Sequence, residues 1–148
     1  MITYRILAKH RLILLWSRGE TSLEECKRLI AHVKSDPEFS PRFDVITDLT
    51  ELDRPLTTEE IQQMVQIDLP KIRNAIIAPR DGIYGASRTF QSLSEGKQPL
   101  ETAVFRDRAA ALQWLGKDPA VIGGLLRNSE KRDLPPDMRM ECDRRMIP

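Results

Sequence analysis

Short apolar runs of strand character alternate along this chain with capped, amphipathic helical segments, and no other feature constrains the fold as strongly. Ile2, Tyr4, Ile6 and Ala8 alternate with more polar neighbours, as in a half-buried strand, and Lys9-His10 can turn the chain into the run Leu12-Ile13-Leu14-Leu15-Trp16. That second run is apolar at consecutive positions. It therefore belongs inside a sheet covered on both faces, which leaves Ile2 to Ala8 at an edge. After Arg18-Gly19-Glu20, the spacing Thr21-Ser22-Leu23-Glu24 has the form of a capping box, in which the Thr21 oxygen and the Glu24 carboxylate satisfy helix-start amides reciprocally. Leu23, Cys26, Leu29, Ile30 and Val33 continue as one apolar stripe that points Cys26 into the core. Asp36-Pro37 ends it, since proline disfavours a helical residue before it.

The unit then recurs. Asp44 to Leu49 reads as a buried strand, Thr57-Thr58-Glu59-Glu60 as a second capping box, and Ile61, Met64, Val65 and Leu69 as the next stripe. Asn74 to Pro79 is a third buried strand. Asp81-Gly82 leads into a helix over Ile83 to Ser94 whose Ile83, Ala86, Phe90 and Leu93 share a face before Gly96. Leu100 to Phe105 makes the last strand, and Asp107 caps a short helix that turns Ala110, Ala111, Trp114 and Leu115 inward. Parallel strands need crossover helices, and such crossovers are right-handed in nearly every case. The expected fold class is α/β: an opening antiparallel hairpin, then parallel strand–helix units, with about five strands in one mixed sheet flanked by four helices.

This domain spans residues 1–116. From 117 to 148, Pro119, Pro135, Pro136 and Pro148 interrupt a charged extension in which a brief helix over Ala120 to Arg127 is expected, followed by a tail or a surface packed on a neighbour. Its Leu125, Leu126, Met138, Met140 and Met146 offer apolar area for a homodimer.

Composition excludes several function classes. Lys and Arg number 23 against 22 for Asp and Glu, and a net charge of +1 supplies no field that would gather nucleic acid or an anionic membrane. The longest apolar stretch, Leu12 to Trp16, falls far short of the ~20 residues of a membrane span, and the first residues lack the basic start and long apolar middle of a signal peptide. Cys26 and Cys142 have no paired spacing and only His10 and His32 to assist them. Neither a disulfide framework nor a metal site is indicated, no cofactor is implied, and a reducing cytoplasm is the expected compartment.

No catalytic set is visible either. His10 falls in a turn and His32 near a helix end, with no motif-placed Ser or Cys nucleophile. Glu24-Glu25 and Glu59-Glu60 occupy first helical turns, where the helix dipole favours negative charge without any acid–base role.

Two loops carry the remaining signals. Pro79 to Arg88 joins a strand's carboxyl end to a helix start, the place where α/β sheets bind ligands. Amides at Gly82, Tyr84 and Gly85, with Ser87 and Arg88, could hold a phosphate or carboxylate, although two glycines at a helix start also serve close packing. Asp48, Thr50, Thr57 and Thr58 lie in the second loop, between another strand and helix. Asp48-Leu49-Thr50-x-Leu52 resembles the opening of the phosphoacceptor loop in STAS domains, the sporulation anti-sigma-factor antagonists. By that resemblance Thr57 or Thr58 falls near the phosphorylated serine, with Leu56-Thr57-Thr58-Glu59 replacing the family's Asp-Ser-Ser-Gly.

A broader resemblance, over about Met1 to Gly116, is to the SpoIIAA-like (STAS/SEC14 domain-containing) family of small bacterial proteins. It rests on the opening hairpin, Gly19-Glu20, Asp36-Pro37-x-Phe39, the strand ending in Asp48, Ala75-Ile76, Tyr84-Gly85-Ala86-Ser87-Arg88, and Val104-Phe105 before Ala111-Leu112-x-Trp114-Leu115. The resemblance implies a STAS-type sandwich distantly related to CRAL-TRIO lipid-binding domains, and no established reaction. The expected function is a non-enzymatic regulatory module that binds a protein through Leu49 to Thr58, with phosphorylation at Thr57 or Thr58 as its switch. The alternative is a carrier of a lipid or other anionic amphiphile, its head at Gly82 to Arg88 and its tail among Ile61, Met64 and Phe90. A hydrolase assembled from Asp48, Asp81 and Arg88 is a third reading.

Overall fold

The computed structural model of the chain describes residues 1–69, 71–97 and 99–123. It is α/β, with one five-stranded sheet whose spatial order follows the chain: β1 (Ile2–Leu7), β2 (Leu12–Gly19), β3 (Asp44–Leu52), β4 (Arg73–Ile77) and β5 (Glu101–Phe105). β1 runs antiparallel to β2 through a 3-10 turn at Ala8–His10, and β2 to β5 are mutually parallel. The intervening helices are α1 (Leu23–Lys34), α2 (Thr58–Met64) and α3 (Asp81–Ser94). α4 (Arg108–Trp114) follows the last strand, and helical backbone resumes at 119–123. The remainder of the expected Ala120–Arg127 helix, Cys142 and the apolar residues assigned to a dimer surface lie outside the described residues.

Each crossover advances one strand in the same direction, so right-handed connections deliver α1, α2 and α3 to a single face of the sheet, and α4 covers the other. Strand alternation divides the core accordingly. Ile13, Val45 and Ile76 pack with Cys26, Leu29 and Ile83 on the first face, while Leu14, Ile46 and Ile77 pack with Ala111 and Leu112 on the second. Leu12, Ile13 and Leu14 are at most 1% exposed, as a consecutive apolar run in an interior strand requires. β1 holds the edge.

Two boundaries differ from expectation. β3 runs on to Leu52 because Arg18 and Gly19 resume pairing with Glu51 and Leu52 past a bulge, and Arg18 Nε meets Glu51 Oε2 at 2.9 Å. Thr50 consequently sits in a strand, not a loop. At α1 the cap is Ser22, whose hydroxyl accepts from the Glu25 amide at 3.1 Å. Thr21 is drawn inward, its oxygen 3.3 Å from the Met1 amino group, so the capping register moves by one residue.

The opposite rim is held by Arg73. Its guanidinium donates to both Asp44 carboxylate oxygens, at 3.2 and 2.9 Å, and to the Trp114 and Leu115 carbonyls at the end of α4, at 3.3 and 3.2 Å. A forked, charge-assisted clasp of this kind satisfies helix-end acceptors and ties α4 to β3. Arg73→Ala is expected to lower stability by about 1–2 kcal/mol, read as a reduced urea midpoint with unchanged slope.

Candidate functional site

Three helices on one face need not sit equally close to the sheet. α1 packs against β1, whereas α2 packs against α3 and α3 against β5. Between these helices and the sheet lies an apolar cavity of about 200 Å³ that is partly open to solvent, larger in volume than the ~150 Å³ engineered cavity that takes up benzene. Ile13, Leu15, Val45 and Ile76 form its floor, and Cys26, Leu29, Ile61, Met64, Ile83 and Phe90 contribute to its walls. Neutral polar groups enter at Ser17, Thr21, Thr47, Asn74 and Ser87. Among the described lining residues only Lys34, the last residue of α1, carries a charge.

Cys26 belongs to this apolar wall. Burial first, and then the Glu25 and Glu60 carboxylates, push its thiol from 9.0 up to about 12. A thiol so held stays protonated and is a poor nucleophile, as expected of a wall residue rather than a catalyst. On the floor, the Thr47 hydroxyl donates to the Asn74 side-chain oxygen at 2.8 Å.

The residues singled out at the start of α3 fall on two sides of the helix. Ser87 lines the cavity together with Ile83, Ala86 and Phe90, while Gly82, Gly85 and Arg88 are exposed. A Cβ on either glycine would meet nothing within 4 Å, so close packing does not account for them. The helix start already holds a negative charge. Asp81 accepts from Arg106 at 2.6 Å, and the same guanidinium reaches the Pro79 carbonyl at 3.2 Å and lies 4.2 Å over the Tyr84 ring.

The segments after β3 and β4 emerge at one rim, as adjacent parallel strands demand. Their side chains nevertheless divide across the sheet. Asp48, 4% exposed, faces α4: its Oδ1 accepts from the Thr50 amide at 2.9 Å and the Thr50 hydroxyl at 2.5 Å, and its Oδ2 lies 3.4 Å from Arg108. Thr57 caps α2 in a full capping box, its hydroxyl accepting from the Glu60 amide at 3.2 Å while the Glu60 carboxylate accepts from the Thr57 amide at 3.0 Å. Thr58 is the exposed first residue of that helix.

The geometry thus brings Ile61, Met64, Phe90 and Ser87 together around one space and leaves Asp48 and Thr50 on the far side of the sheet. Sequence reasoning did not single out Lys34, Thr47 or Asn74. A lysine in a last helical turn reads as a favourable partner of the helix dipole, and only the placement of α1 over the sheet gives Lys34 a cavity to border. Among the described residues no group of three or more His, Cys, Asp and Glu side chains could hold a metal ion, and no helix is long and apolar enough to cross a membrane. No protein-family model, curated protein or solved structure matches the chain.

Proposed function

We propose that the protein binds a small apolar or amphipathic molecule between its sheet and α1–α3, and holds it rather than transforms it. The observation that carries this reading is the 200 Å³ space walled almost wholly by apolar side chains. Protein interiors are close-packed, and apolar side chains that border an open space forgo contacts on one side at a cost in free energy. A guest that restores those lost contacts recovers part of that cost, which is the driving force for uptake. Among the described residues one charged group lines the space, with no second acid or base beside it to make the pair that a reaction would require.

The regulatory reading, a STAS-type module switched by phosphate, has the exposed Thr57 and Thr58 hydroxyls in its favour. Against it, the Thr57 oxygen is occupied as a helix cap, and Glu59 and Glu60 would repel a second anion. The kinship to lipid-binding domains implied by the SpoIIAA-like resemblance accords better with the cavity.

Native mass spectrometry of protein prepared without detergent tests the proposal. The expected result is a retained apolar mass, or uptake of one dodecanol per chain. Ala86→Trp, which projects an indole into the cavity, is expected to abolish uptake while circular dichroism remains unchanged. A wild-type protein that takes up neither dodecanol nor dodecanoate under several preparations would end this reading.

A further inference from the structure

We infer that the cavity's ligand is a monoanionic amphiphile whose carboxylate sits on Lys34, at the rim where the parallel strands begin and away from the start of α3; the inference rests on the binding function proposed above. α1 starts after the carboxyl end of β2 and returns across the sheet, so its last residue lies at the amino-end rim, where β4 begins with Arg73 and Asn74. Lys34 lines the cavity while remaining exposed to solvent, and its ammonium donates to the Asp68 backbone carbonyl beyond α2. No carboxylate pairs with it among the described residues. An ammonium beside an apolar space is better served by an anion than by a carbonyl dipole, since an ionised acceptor roughly doubles the strength of the bond.

Asn74, 8% exposed, lines the cavity at the same rim. Its side-chain oxygen already accepts from Thr47, which leaves the amide NH₂ to donate to a second carboxylate oxygen. The other end is less suited to an anionic head: Asp81 occupies the start of α3, and Arg88, unlike Lys34, does not line the cavity. A chain anchored at Lys34 would extend into the space bounded by Met64, Ile61 and Phe90.

The test compares dodecanoate with dodecanol, which share a chain and differ in charge, by calorimetric titration at pH 8. Dodecanoate is expected to bind at least roughly tenfold more tightly. Lys34→Gln should erase that preference without changing dodecanol affinity, Lys34→Arg should keep it, and Arg88→Gln should have no effect. Equal affinities in the wild type, or a preference that survives Lys34→Gln, would overturn the assignment of the head group. Dodecanol uptake that Ala86→Trp still blocks would in that case leave the binding function standing, whereas failure of both ligands would remove both.

Discussion

Asp48→Ala is expected to lower the unfolding free energy by about 3 kcal/mol, because it removes a buried carboxylate that joins the end of β3 to α4. Asp48 is 4% exposed and stands opposite Trp16 in the β2–β3 register. Its two oxygens serve different elements. Oδ1 takes the Thr50 amide and hydroxyl, fixing the last turnless stretch of β3, and Oδ2 faces Arg108 in the first turn of α4. Truncation deprives the Thr50 amide of its side-chain acceptor and takes one carboxylate contact from the half-buried Arg108 guanidinium, and costs of this kind exceed the net worth of the bonds themselves. Asp48→Asn keeps an oxygen for Thr50 but turns an amide NH₂ toward the Arg108 guanidinium, so it spares only the Thr50 part and about half the effect is expected. Urea titration distinguishes the two variants. A loss below about 0.5 kcal/mol for alanine would mean that Asp48 is solvated and available for another role.

The second large effect is alkaline. In the unfolded chain the Cys26 thiol loses its proton near 9.0, whereas burial holds the folded-state value at about 12. The raised value makes the sign definite: this contribution is fully present below pH 9 and is lost as pH rises toward 12, at about 1.4 kcal/mol per pH unit. Between pH 8 and 10.5 the stability of the wild type should therefore fall about 2 kcal/mol further than that of Cys26→Ala, whose remaining groups titrate alike. The difference between the two curves is the measurement, since lysines and tyrosines contribute equally to both. Parallel curves would indicate that water reaches the sulfur and that the α1 side of the cavity is wet.

Much of the fold was legible because its signals are local. Five consecutive apolar residues from Leu12 to Trp16 specify an interior strand, and Thr57 with Glu60 specifies where α2 begins. Ambiguity arose where two local signals overlapped. Thr21 and Ser22 can each cap α1, and Glu24 and Glu25 supply a third-position carboxylate to either register; the contact of Thr21 with Met1 decides between them. The extension of β3 depends on pairing with Arg18 and Gly19, some thirty residues earlier, which no pattern within β3 encodes.

The site was legible in part for a related reason. Hydrophobic stripes on α1, α2 and α3 state which way each helix faces, not how far it stands from the sheet. Cys26, Leu29 and Ile83 therefore read as ordinary core, although together with Ile61, Met64 and Phe90 they enclose a cavity. Asp48 and Gly82 drew attention because strand ends are where α/β folds bind ligands, yet a rim has two sides, and a single-residue change of phase sends a side chain to the other one. Lys34 became visible only once α1 had a position.

The most direct measurement of the central claim is a crystal structure of the wild type under xenon pressure. Xenon binds by dispersion and favours apolar space, so ordered xenon is expected among Leu29, Met64 and Phe90 in the wild type and not in Ala86→Trp. A wild-type structure without xenon at that place, with α1, α2 and α3 settled directly onto Ile13, Val45 and Ile76, would contradict it.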